Sequence, residues 1–433
     1  MRLRAVRGMN DILPAEAPRW RRLEAAFRAR AELYGYGEVR TPLLEATALF
    51  AKQMGETSDV VEKEMYSFSR HDDDLTVRPE GTAGAARAYV EHNLANKEPV
   101  TRWYYVGPMF RGERPAKGRF RQFWQAGCEL FGDPGPVSDA EMIDLVVAVL
   151  RDVGIRDVVV HVNSLGSGDT RARFRDSLVA WFEPRRASLS EDSQRRLEKN
   201  PLRILDSKDA RDREACQGAP SILDVLSPED RAHFDGVKAH LRALEVPFVE
   251  DASLVRGLDY YTRTLFEVKA TTGDLGAQNT VCGGGRYDEM VESLGGPKTP
   301  AIGFAMGLER LLTLMPETSE VPVPPVYVLP VIEGDEGAEP IGSTALRVAR
   351  SVRDAGLRAE LEGRRVRLKN ALGRAEKLGA RYAVIVGAKE AAAGVVAVKD
   401  LAKREQHEVP VAEVAGWLRR ASVREADGGQ GPA

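Results

Sequence analysis

Cysteine and histidine are scarce in this chain of 433 residues, which contains three cysteines and six histidines. Cys128, Cys216 and Cys282 stand far apart, their number is odd, and no pair has the CxxC spacing. This pattern argues against a disulfide framework and against a zinc cluster. Because the histidines are equally scattered, we expect no dedicated transition-metal site.

Long apolar runs are also missing. No run approaches the ~18 residues that a membrane span needs, and the start MRLRAVRGMNDILP lacks the apolar stretch of a signal peptide. We therefore expect a soluble protein of the cytoplasm. The charges nearly balance, with 62 Lys and Arg against 65 Asp and Glu, so the total neither requires nor excludes a polyanionic partner.

The common phosphate-binding loops do not occur in the sequence. The pattern GxxxxGK(S/T) is missing, and GGGRYD at 283–288 has neither the spacing nor the context of a dinucleotide-binding fingerprint. A nucleotide would therefore have to be held by arginine side chains on a sheet. The candidates are Arg111, Arg256 and Arg310.

The length predicts two or three domains, each large enough to bury its own core. Residues 166–245 have a polar, helical pattern and interrupt two strand-rich regions, so we interpret them as an insertion. Near 316–325 the stretch PETSEVPVPP has four prolines, which cannot continue a helix or a central strand and indicate a linker. Beyond it, alternating strand and helix patterns argue for a small α/β domain with a mixed sheet. The tail at 422–433 is predicted to be disordered.

The stretch YYVGPMFRGERPAKGRFRQFWQAGCELFG, residues 104–132, joins two apolar runs through a turn-rich loop. A strand over 119–131 would have one apolar face and one polar face. The polar face carries, in order, Arg119, Arg121, Phe123, Gln125, Gly127 and Glu129. Such a face could bind an anion at one end and an amine or a ring N–H at the other, with Gly127 letting a ligand approach the backbone. The alternative is a solvated outer face with ordinary cross-strand charge pairs.

Other segments carry similar signals. In TVRPEGTAGAARAYV, Glu80 and Thr82 flank a glycine just before a predicted helix, where they either bind a ligand or simply cap the helix. LVRGLDYYTRTLFEV sets Arg256 and two tyrosines in a strand-like run, and CGGGRYD follows with three adjacent glycines. AIGFAMGLERLL joins a strand to a helix that bears Arg310. Each of these signals alone could reflect packing and turns.

Together, these motifs resemble those of the histidyl-tRNA synthetases, a family of class II aminoacyl-tRNA synthetases. VRTPLLE resembles the first class motif, FRGERPAKGRFRQFWQAGCE the second, and AIGFAMGLERLL the third. LVRGLDYYT and GGGRYD resemble the two histidine-specific signatures. The resemblance extends from RGMNDILP near the start of the chain to VVAVKDL near its end, and jointly the motifs are highly specific.

The resemblance implies a fold, a reaction and partners. An α+β catalytic domain with a mainly antiparallel sheet flanked by helices would cover 1–325, interrupted by the helical insertion at 166–245. An anticodon-binding α/β domain with a mixed sheet would cover 326–421. The implied reaction is ATP-dependent activation of L-histidine to histidyl-adenylate with release of pyrophosphate, followed by transfer to the 3′ end of tRNA(His). ATP as substrate, Mg²⁺ and a homodimer joined at the first motif belong to the same expectation.

The resemblance also assigns roles residue by residue. Arg111 and Arg256 would act on the α-phosphate from opposite sides and are the expected catalytic residues, while Arg310 would bind the far end of ATP and its adenine. Histidine would contact Glu80, Gly81, Thr82, Arg111, Gln125, Glu129, Arg256, Tyr260 and Tyr261. The tRNA acceptor end would arrive at the hairpin loop, which carries Arg114, Lys117 and Arg119.

Within the histidine set, the segment from Glu80 to Thr82 would receive the amino group. Glu129 would accept a hydrogen bond from an imidazole N–H, and the two tyrosines would close the ring pocket. One rival interpretation is a synthetase-like regulatory subunit of histidine biosynthesis, which binds histidine without charging tRNA. Such paralogues typically lack the C-terminal domain and degrade the signature motifs, and both are intact here. A second rival, a stand-alone nucleic-acid-binding module, would not need paired histidine and phosphate residues.

We expect Arg256→Ala to reduce adenylate formation strongly while histidine binding is largely kept, because this arginine would neutralise charge at the phosphate during the reaction. Histidine-dependent ATP–pyrophosphate exchange and direct titration with histidine measure the two effects separately. Equal losses in both measurements would contradict the assigned role.

Overall fold

The structure is a computed structural model, and it describes residues 3–54, 60–116, 118–207, 209–255, 260–272, 279–317, 325–332 and 338–426. The chain divides into two compact units, Met1–Pro316 and Glu317–Ala433. None of the helices in the described ranges combines the length and the apolar character needed to cross a membrane.

The first unit contains both strands and helices. Its strands are β1 (Gly37–Glu38), β2 (Leu44–Ala46), β3 (Tyr66–Arg70), β4 (Asp73–Val77), β5 (Thr101–Phe110), β6 (Gln122–Phe131), β7 (Val158–Ser164), β8 (Phe248–Glu250), β9 (Thr262–Ala270), β10 (Thr280–Arg286) and β11 (Ala301–Gly307). Its helices are α1 (Ala17–Leu33), α2 (Thr47–Met54), α3 (Thr82–Glu91), α4 (Pro136–Asp152), α5 (Asp169–Phe182), α6 (Glu191–Lys199), α7 (Ala210–Ala215), α8 (Pro228–Ala243), α9 (Met290–Ser293) and α10 (Leu308–Leu314).

A mainly antiparallel sheet forms the centre of the first unit. Its strand order is β1-β5-β6-β11-β10-β9-β7-β8. The inner pairs are antiparallel, whereas the edge strands β1 and β8 each pair in parallel with their neighbour. The predicted fold class of this domain is therefore confirmed. Strands β2, β4 and β3 form a separate small antiparallel sheet.

The hairpin of β5 and β6 separates an apolar face from a polar face, as its alternation predicts. Cys128 and Leu130 are fully buried in the main apolar core together with Phe27 of α1. The strand is shorter than the predicted 119–131, because a tight turn closed by mutual backbone hydrogen bonds between Ala116 and Arg119 precedes it. The first arginines of the predicted polar face therefore belong to a loop.

The segment EVRTPLLE also forms less strand than its pattern suggests. Only Gly37–Glu38 and Leu44–Ala46 pair with neighbouring strands. Pro42 lies between these two short strands, and proline has no N–H to donate to a ladder. The pairing is accordingly interrupted around it.

The helices between 166 and 245 divide into two groups by their packing. Helices α5 and α6 contribute Phe174, Leu178 and Leu197 to an apolar cluster that is separate from the main core. Helix α8 instead buries Phe234 and Leu241 in the main core, against α4. The last helix of this region therefore packs as part of the body of the first unit.

A fully buried ion pair ties β10 to α4. Arg286 Nη2 lies 2.6 Å from Asp139 Oδ1, and both side chains have 0% exposure. Arg286 Nε donates to Asp139 Oδ2 at 3.0 Å, and Nε2 of His233 in α8 lies 2.9 Å from the same oxygen. These contacts offset the cost of burying the carboxylate, and they fix the end of β10.

The second unit has its own sheet. Its elements are β12 (Val326–Pro330), α11 (Ala338–Asp354), β13 (Ala359–Leu361), α12 (Leu368–Lys377), β14 (Tyr382–Val386), α13 (Ala388–Ala393), β15 (Val395–Asp400), β16 (Glu405–Pro410) and α14 (Val414–Ala426). The order is β13-β12-β14-β15-β16, with parallel pairs around β12 and antiparallel pairs from β14 to β16. The predicted mixed sheet is confirmed. Helix α14 continues into the range 422–433, of which residues 427–433 lie outside the described residues.

Asp139→Ala leaves the Arg286 guanidinium buried without its carboxylate, so we expect the free energy of unfolding of the first unit to fall by about 3–5 kcal/mol. Urea denaturation followed by tryptophan fluorescence measures this change. Asp192→Ala is the matched control, because it removes a largely exposed ion pair with Arg195 and should have a much smaller effect. Similar losses in the two variants would contradict the account of the buried pair.

Candidate active site

One cavity brings together most of the predicted site residues, at the polar faces of β6, β10 and β11. Its walls include Glu80, Thr82, Arg111, Arg119, Gln125, Tyr260, Tyr261 and Arg310. Arg114 is exposed and is not part of this wall. The predicted residues Arg256 and Lys117 lie outside the described residues.

Glu129 is fully buried behind the cavity wall and accepts hydrogen bonds from three hydroxyl groups. Its Oε1 accepts from Thr82 Oγ1 at 2.7 Å and from the Tyr105 hydroxyl at 3.1 Å, and its Oε2 accepts from Tyr287. Burial raises the pKa of Glu129 to about 8, and the hydroxyl donors oppose that rise. A carboxylate offers about four acceptor positions, so these hydroxyls leave room for one further donor.

Two glycines make space for this arrangement. A Cβ atom on Gly303 would lie 1.7 Å from Glu129 Oε2, and one on Gly127 would lie 2.5 Å from the Tyr105 hydroxyl oxygen. Tyr105 pairs directly with Gly127 across the hairpin, so its side chain fills the space beside the glycine. The expectation that Gly127 lets a ligand approach the backbone is therefore wrong, because a protein side chain occupies that space.

Glu80 caps helix α3 with both of its carboxylate oxygens. Oε2 accepts from the Thr82 backbone N–H at 2.7 Å, and Oε1 accepts from the Ala83 N–H at 2.9 Å. Burial raises the pKa of Glu80, while the two backbone donors act in the opposite direction. From the sequence, Glu80 could either bind a ligand or cap the helix, and these hydrogen bonds are those of a helix cap. The carboxylate also lines the cavity. Gly81 occupies the N-cap position itself, against the Tyr105 ring.

The side-chain oxygen of Gln125 is a buried hydrogen-bond acceptor without a donor in the described part of the chain. This Oε1 atom is buried in the cavity wall and has no partner among the described residues. A buried acceptor without a donor is costly, so a ligand donor is expected beside it. The neighbouring wall is aromatic. The rings of Tyr260 and Tyr261 lie 4.5 Å apart, and Tyr260 packs edge to face on Tyr287 at 5.8 Å.

The arginines of the cavity are fixed by the backbone and by aromatic contact. Arg111 Nε donates to the Pro79 carbonyl at 2.9 Å, and its guanidinium lies 5.3 Å from the centre of the Phe123 ring. Arg310 Nη1 donates to the Thr280 carbonyl at 2.6 Å, and its Nε donates to the Gly118 carbonyl at 3.2 Å. Both guanidinium groups therefore have limited freedom at the cavity wall.

Arg119 has an acidic partner within the loop. It forms an ion pair with Glu113, and both residues line the cavity. Across the described ranges, no group of three or more His, Cys, Asp and Glu side chains is arranged to hold a metal ion. The carboxylates of the cavity wall include Glu80, Glu113 and Glu309.

The family model for histidyl-tRNA synthetases matches residues 8–169 and 185–311, and the model for the anticodon-binding domain matches 325–421. The chain is 64% identical over 430 residues to a histidine–tRNA ligase of Sorangium cellulosum (strain So ce56), covering 99% of each chain. The chain belongs to the histidyl-tRNA synthetase family.

Solved structures of histidyl-tRNA synthetases share its fold. The apo enzyme from S. aureus superposes with a TM-score of 0.79 at 33% identity, covering 96% of this chain and 99% of that one. The histidyl-tRNA synthetase from Nostoc sp. PCC 7120 superposes with a TM-score of 0.62 at 24% identity, covering 97% of this chain and 100% of that one, which indicates the fold alone.

Sequence reasoning missed two of the residues that hold Glu129 in this histidyl-tRNA synthetase fold. Tyr287 lies within the quoted motif GGGRYD, so its position beside the glycines was a usable signal. Tyr105 gave no signal of its own, because only the register of β5 on β6 places it over Gly127. Glu309 was also missed: its carboxylate accepts the Trp124 backbone N–H at 2.9 Å, and burial raises its pKa to about 7.

Glu129→Gln should remove one component of the pH dependence of stability. Between about pH 4.5 and pH 8 the folded chain keeps a proton on Glu129 that the unfolded chain has released. Unfolding then releases a proton, so the free energy of unfolding falls as the pH rises, by about 1.4 kcal/mol per pH unit for a full proton.

Above about pH 8 both states are ionised and this component is constant. Urea denaturation of the parent chain and of Glu129→Gln across this range measures it as the difference between the two. That difference should shrink with rising pH and then level off. A difference independent of pH would show that Glu129 titrates normally.

Proposed function

We propose that this chain is a histidine–tRNA ligase, which activates L-histidine with ATP and transfers it to the 3′ end of tRNA(His). The observation that carries the proposal is the buried Glu129 carboxylate, which has one free acceptor position behind an aromatic cavity. An imidazole N–H is a donor that suits this position. The 64% identity to a histidine–tRNA ligase over nearly the whole chain supports the same function.

Histidine binds with its ring toward Glu129 and its ammonium group toward the segment from Glu80 to Thr82, beside Gln125. As histidine binds, Glu129 releases the proton that it holds below about pH 8. Its carboxylate then accepts from a ring N–H, and Tyr260 and Tyr261 enclose the ring. The unpaired Oε1 of Gln125 accepts from the ammonium group, and the Glu80 carboxylate adds negative charge nearby. A pocket that pairs the ring leaves buried groups unpaired when an analogue lacks the N–H, which makes the site selective.

ATP binds at the arginine end of the same cavity. Arg111 acts on the α-phosphate and the histidine carboxylate, and Arg310 binds the far end of ATP and its adenine. Both arginines are already oriented by their backbone hydrogen bonds, so little reorganisation accompanies the reaction. Arg256 acts on the α-phosphate opposite Arg111, an assignment that rests on its match to the family motif.

The reaction is an in-line displacement at phosphorus followed by acyl transfer. A carboxylate oxygen of histidine forms a bond to the α-phosphorus, the bond from that phosphorus to the bridging oxygen breaks, and pyrophosphate leaves. The terminal ribose hydroxyl of tRNA then attacks the carbonyl carbon, loses its proton, and AMP leaves. Positioning of the reactants and neutralisation of the phosphorus centre are the main tasks of the protein.

Mg²⁺ belongs to this proposal, because a bound divalent cation would supply positive charge to offset the charge of the ATP phosphates. Such ions are usually held by one or two carboxylates together with substrate phosphates. The wall carboxylates Glu113 and Glu309 are of the right donor type to hold it. Loss of exchange activity on chelation, with recovery on added Mg²⁺, tests this part.

Contacts with tRNA are proposed at two places. The exposed Arg114 of the hairpin loop meets the acceptor end together with Lys117, while Arg119 first has to leave Glu113. In the second unit, the basic stretch GRRVRLKNALGR contacts the anticodon arm. The match of 325–421 to the anticodon-binding model supports this assignment. The salt dependence of tRNA binding tests this assignment when the parent chain is compared with a variant in which the arginines of this stretch are replaced.

A cytoplasmic homodimer completes the proposal. Leu43 and Leu44 of the first motif and Phe68 of the small sheet are exposed apolar side chains, as expected for a surface that a partner covers. Sedimentation equilibrium at micromolar concentration tests the dimer, and a purely monomeric chain would contradict it.

The test of the function is histidine-dependent ATP–pyrophosphate exchange, run against the other amino acids and followed by charging of tRNA. Exchange with histidine alone, followed by charging, is the expected result. Histidine binding without exchange would favour the rival regulatory subunit instead.

Glu129→Gln and Arg310→Ala should test the histidine end and the ATP end of the cavity separately. We expect Glu129→Gln to weaken histidine binding by about 10- to 100-fold, the loss of one hydrogen bond to a charged group, with little change for ATP. Arg310→Ala should weaken ATP and leave histidine largely unchanged. Titration calorimetry with each ligand measures both effects, and selective loss of ATP affinity in Glu129→Gln would refute the assignment.

A further inference from the structure

Arg263 has a backbone conformation that residues with side chains rarely adopt. Its φ is +42°, in the left-handed region. The pairing of β9 with β10 shifts register between Gly285 and Arg286, which places Arg263 in a β-bulge. Bulges of this kind re-aim neighbouring side chains and are frequent beside active sites, and strained residues persist only where their surroundings hold them.

Arg263 is held through both its backbone and its side chain. Its N–H donates to the Gly166 carbonyl at 2.8 Å, and its carbonyl accepts from the Leu165 N–H at 2.7 Å. Its Nε lies 3.1 Å from Asp230 Oδ1, and its guanidinium also pairs with Glu229. These partners lie where the region 166–245 leaves the sheet and where helix α8 begins.

Asp230 accepts hydrogen bonds from several segments of the chain at this position. Its buried carboxylate accepts from the hydroxyls of Ser167 at 2.8 Å, Thr170 at 3.0 Å and Ser227 at 2.8 Å, besides the guanidinium of Arg263. We call Asp230, Ser167, Thr170 and Ser227 the insertion root. It fastens the start of α5 and the start of α8 to one arginine of β9.

The bulge comes immediately after the tyrosines of the cavity wall. Tyr260 and Tyr261 precede Thr262, whose hydroxyl oxygen accepts from the Asp288 N–H at 3.1 Å. Thr262 and Arg263 therefore adjoin the tyrosine pair directly along the chain. Neither Arg263 nor Asp230 itself lines the cavity.

We propose that Arg263 is a positioning residue for histidine. The ion pair with Asp230 fixes the guanidinium of Arg263, and this side chain in turn stabilises the backbone of the bulge. The bulge then keeps Tyr260 and Tyr261 in position at the ring pocket. This inference rests on the proposed histidine site. It makes the insertion root a determinant of histidine affinity although its residues do not touch the ligand.

Arg263→Ala and Arg263→Gly provide the first test, by titration calorimetry with histidine and separately with ATP. We expect Arg263→Ala to raise the Kd for histidine about tenfold through misplacement of the tyrosines, with the Kd for ATP unchanged. Arg263→Gly loses the same side-chain contacts but reaches the left-handed conformation freely, so its Kd should lie closer to that of the parent chain. Arg263→Lys, which keeps a charge beside Asp230, should be the mildest change.

Asp230→Asn tests the other side of the ion pair and should also raise the Kd for histidine. Asp212→Asn is the matched control: Asp212 is likewise buried and accepts from the hydroxyls of Ser190, Ser193 and Ser207, but its hydrogen-bond partners among the described residues do not include β9. The control should leave the Kd for histidine unchanged. Circular dichroism of each variant identifies any that fail to fold, and Arg263→Lys then carries the comparison.

The inference is overturned if Arg263→Ala and Arg263→Gly weaken histidine equally, if histidine and ATP weaken together, or if Asp212→Asn has the effect of Asp230→Asn. Exchange assays on the parent chain distinguish these outcomes from failure of the proposed function. A parent chain that binds histidine without exchange contradicts the ligase activity, while the Kd comparison still decides the role of Arg263. A parent chain that does not bind histidine contradicts both.

Discussion

Burial of one carboxylate is the constraint on which the cavity depends. A carboxylate removed from water is tolerated only when donors replace the lost hydration. The donors to Glu129 come from α3, from β5 and from the residue that follows β10, so three separate parts of the chain must be packed before the cost is offset. Glycine at 303 is required for the same reason, because any side chain there would occupy the position of the carboxylate.

The other end of the same strand, β6, requires positive charge in place of a carboxylate. Glu129 and Gln125 are separated by about 13 Å along the extended strand, and the arginines lie beyond Gln125. Arg111 is fixed on Phe123 and on a carbonyl, so positive charge is concentrated where phosphate is proposed to bind. One face of β6 thus presents an acceptor for a ring N–H and, further along, cations for a phosphate. This separation is what a reaction between an amino acid and ATP needs from a rigid support.

The sequence predicted the elements whose pattern is local. The period-two alternation of β6 and the apolar stripe of α1 both appear in the fold, since each depends only on neighbouring residues. Contacts set by register were out of reach: Tyr105 meets Glu129 only because β5 pairs with β6 in one particular alignment. The pairing of Arg119 with Glu113 and the positive φ of Arg263 likewise depend on tertiary structure, so residue type alone could not indicate them.

The most direct measurement of the central claim is the affinity of the chain for L-histidine compared with thiazolylalanine, an analogue that keeps a five-membered ring but has no ring N–H. If the buried carboxylate of Glu129 recognises the ring, titration calorimetry should find the analogue weaker by about 10⁴-fold, since its binding leaves the carboxylate unpaired. A difference of less than about tenfold would mean that packing alone selects the ligand, and would contradict the role proposed for Glu129.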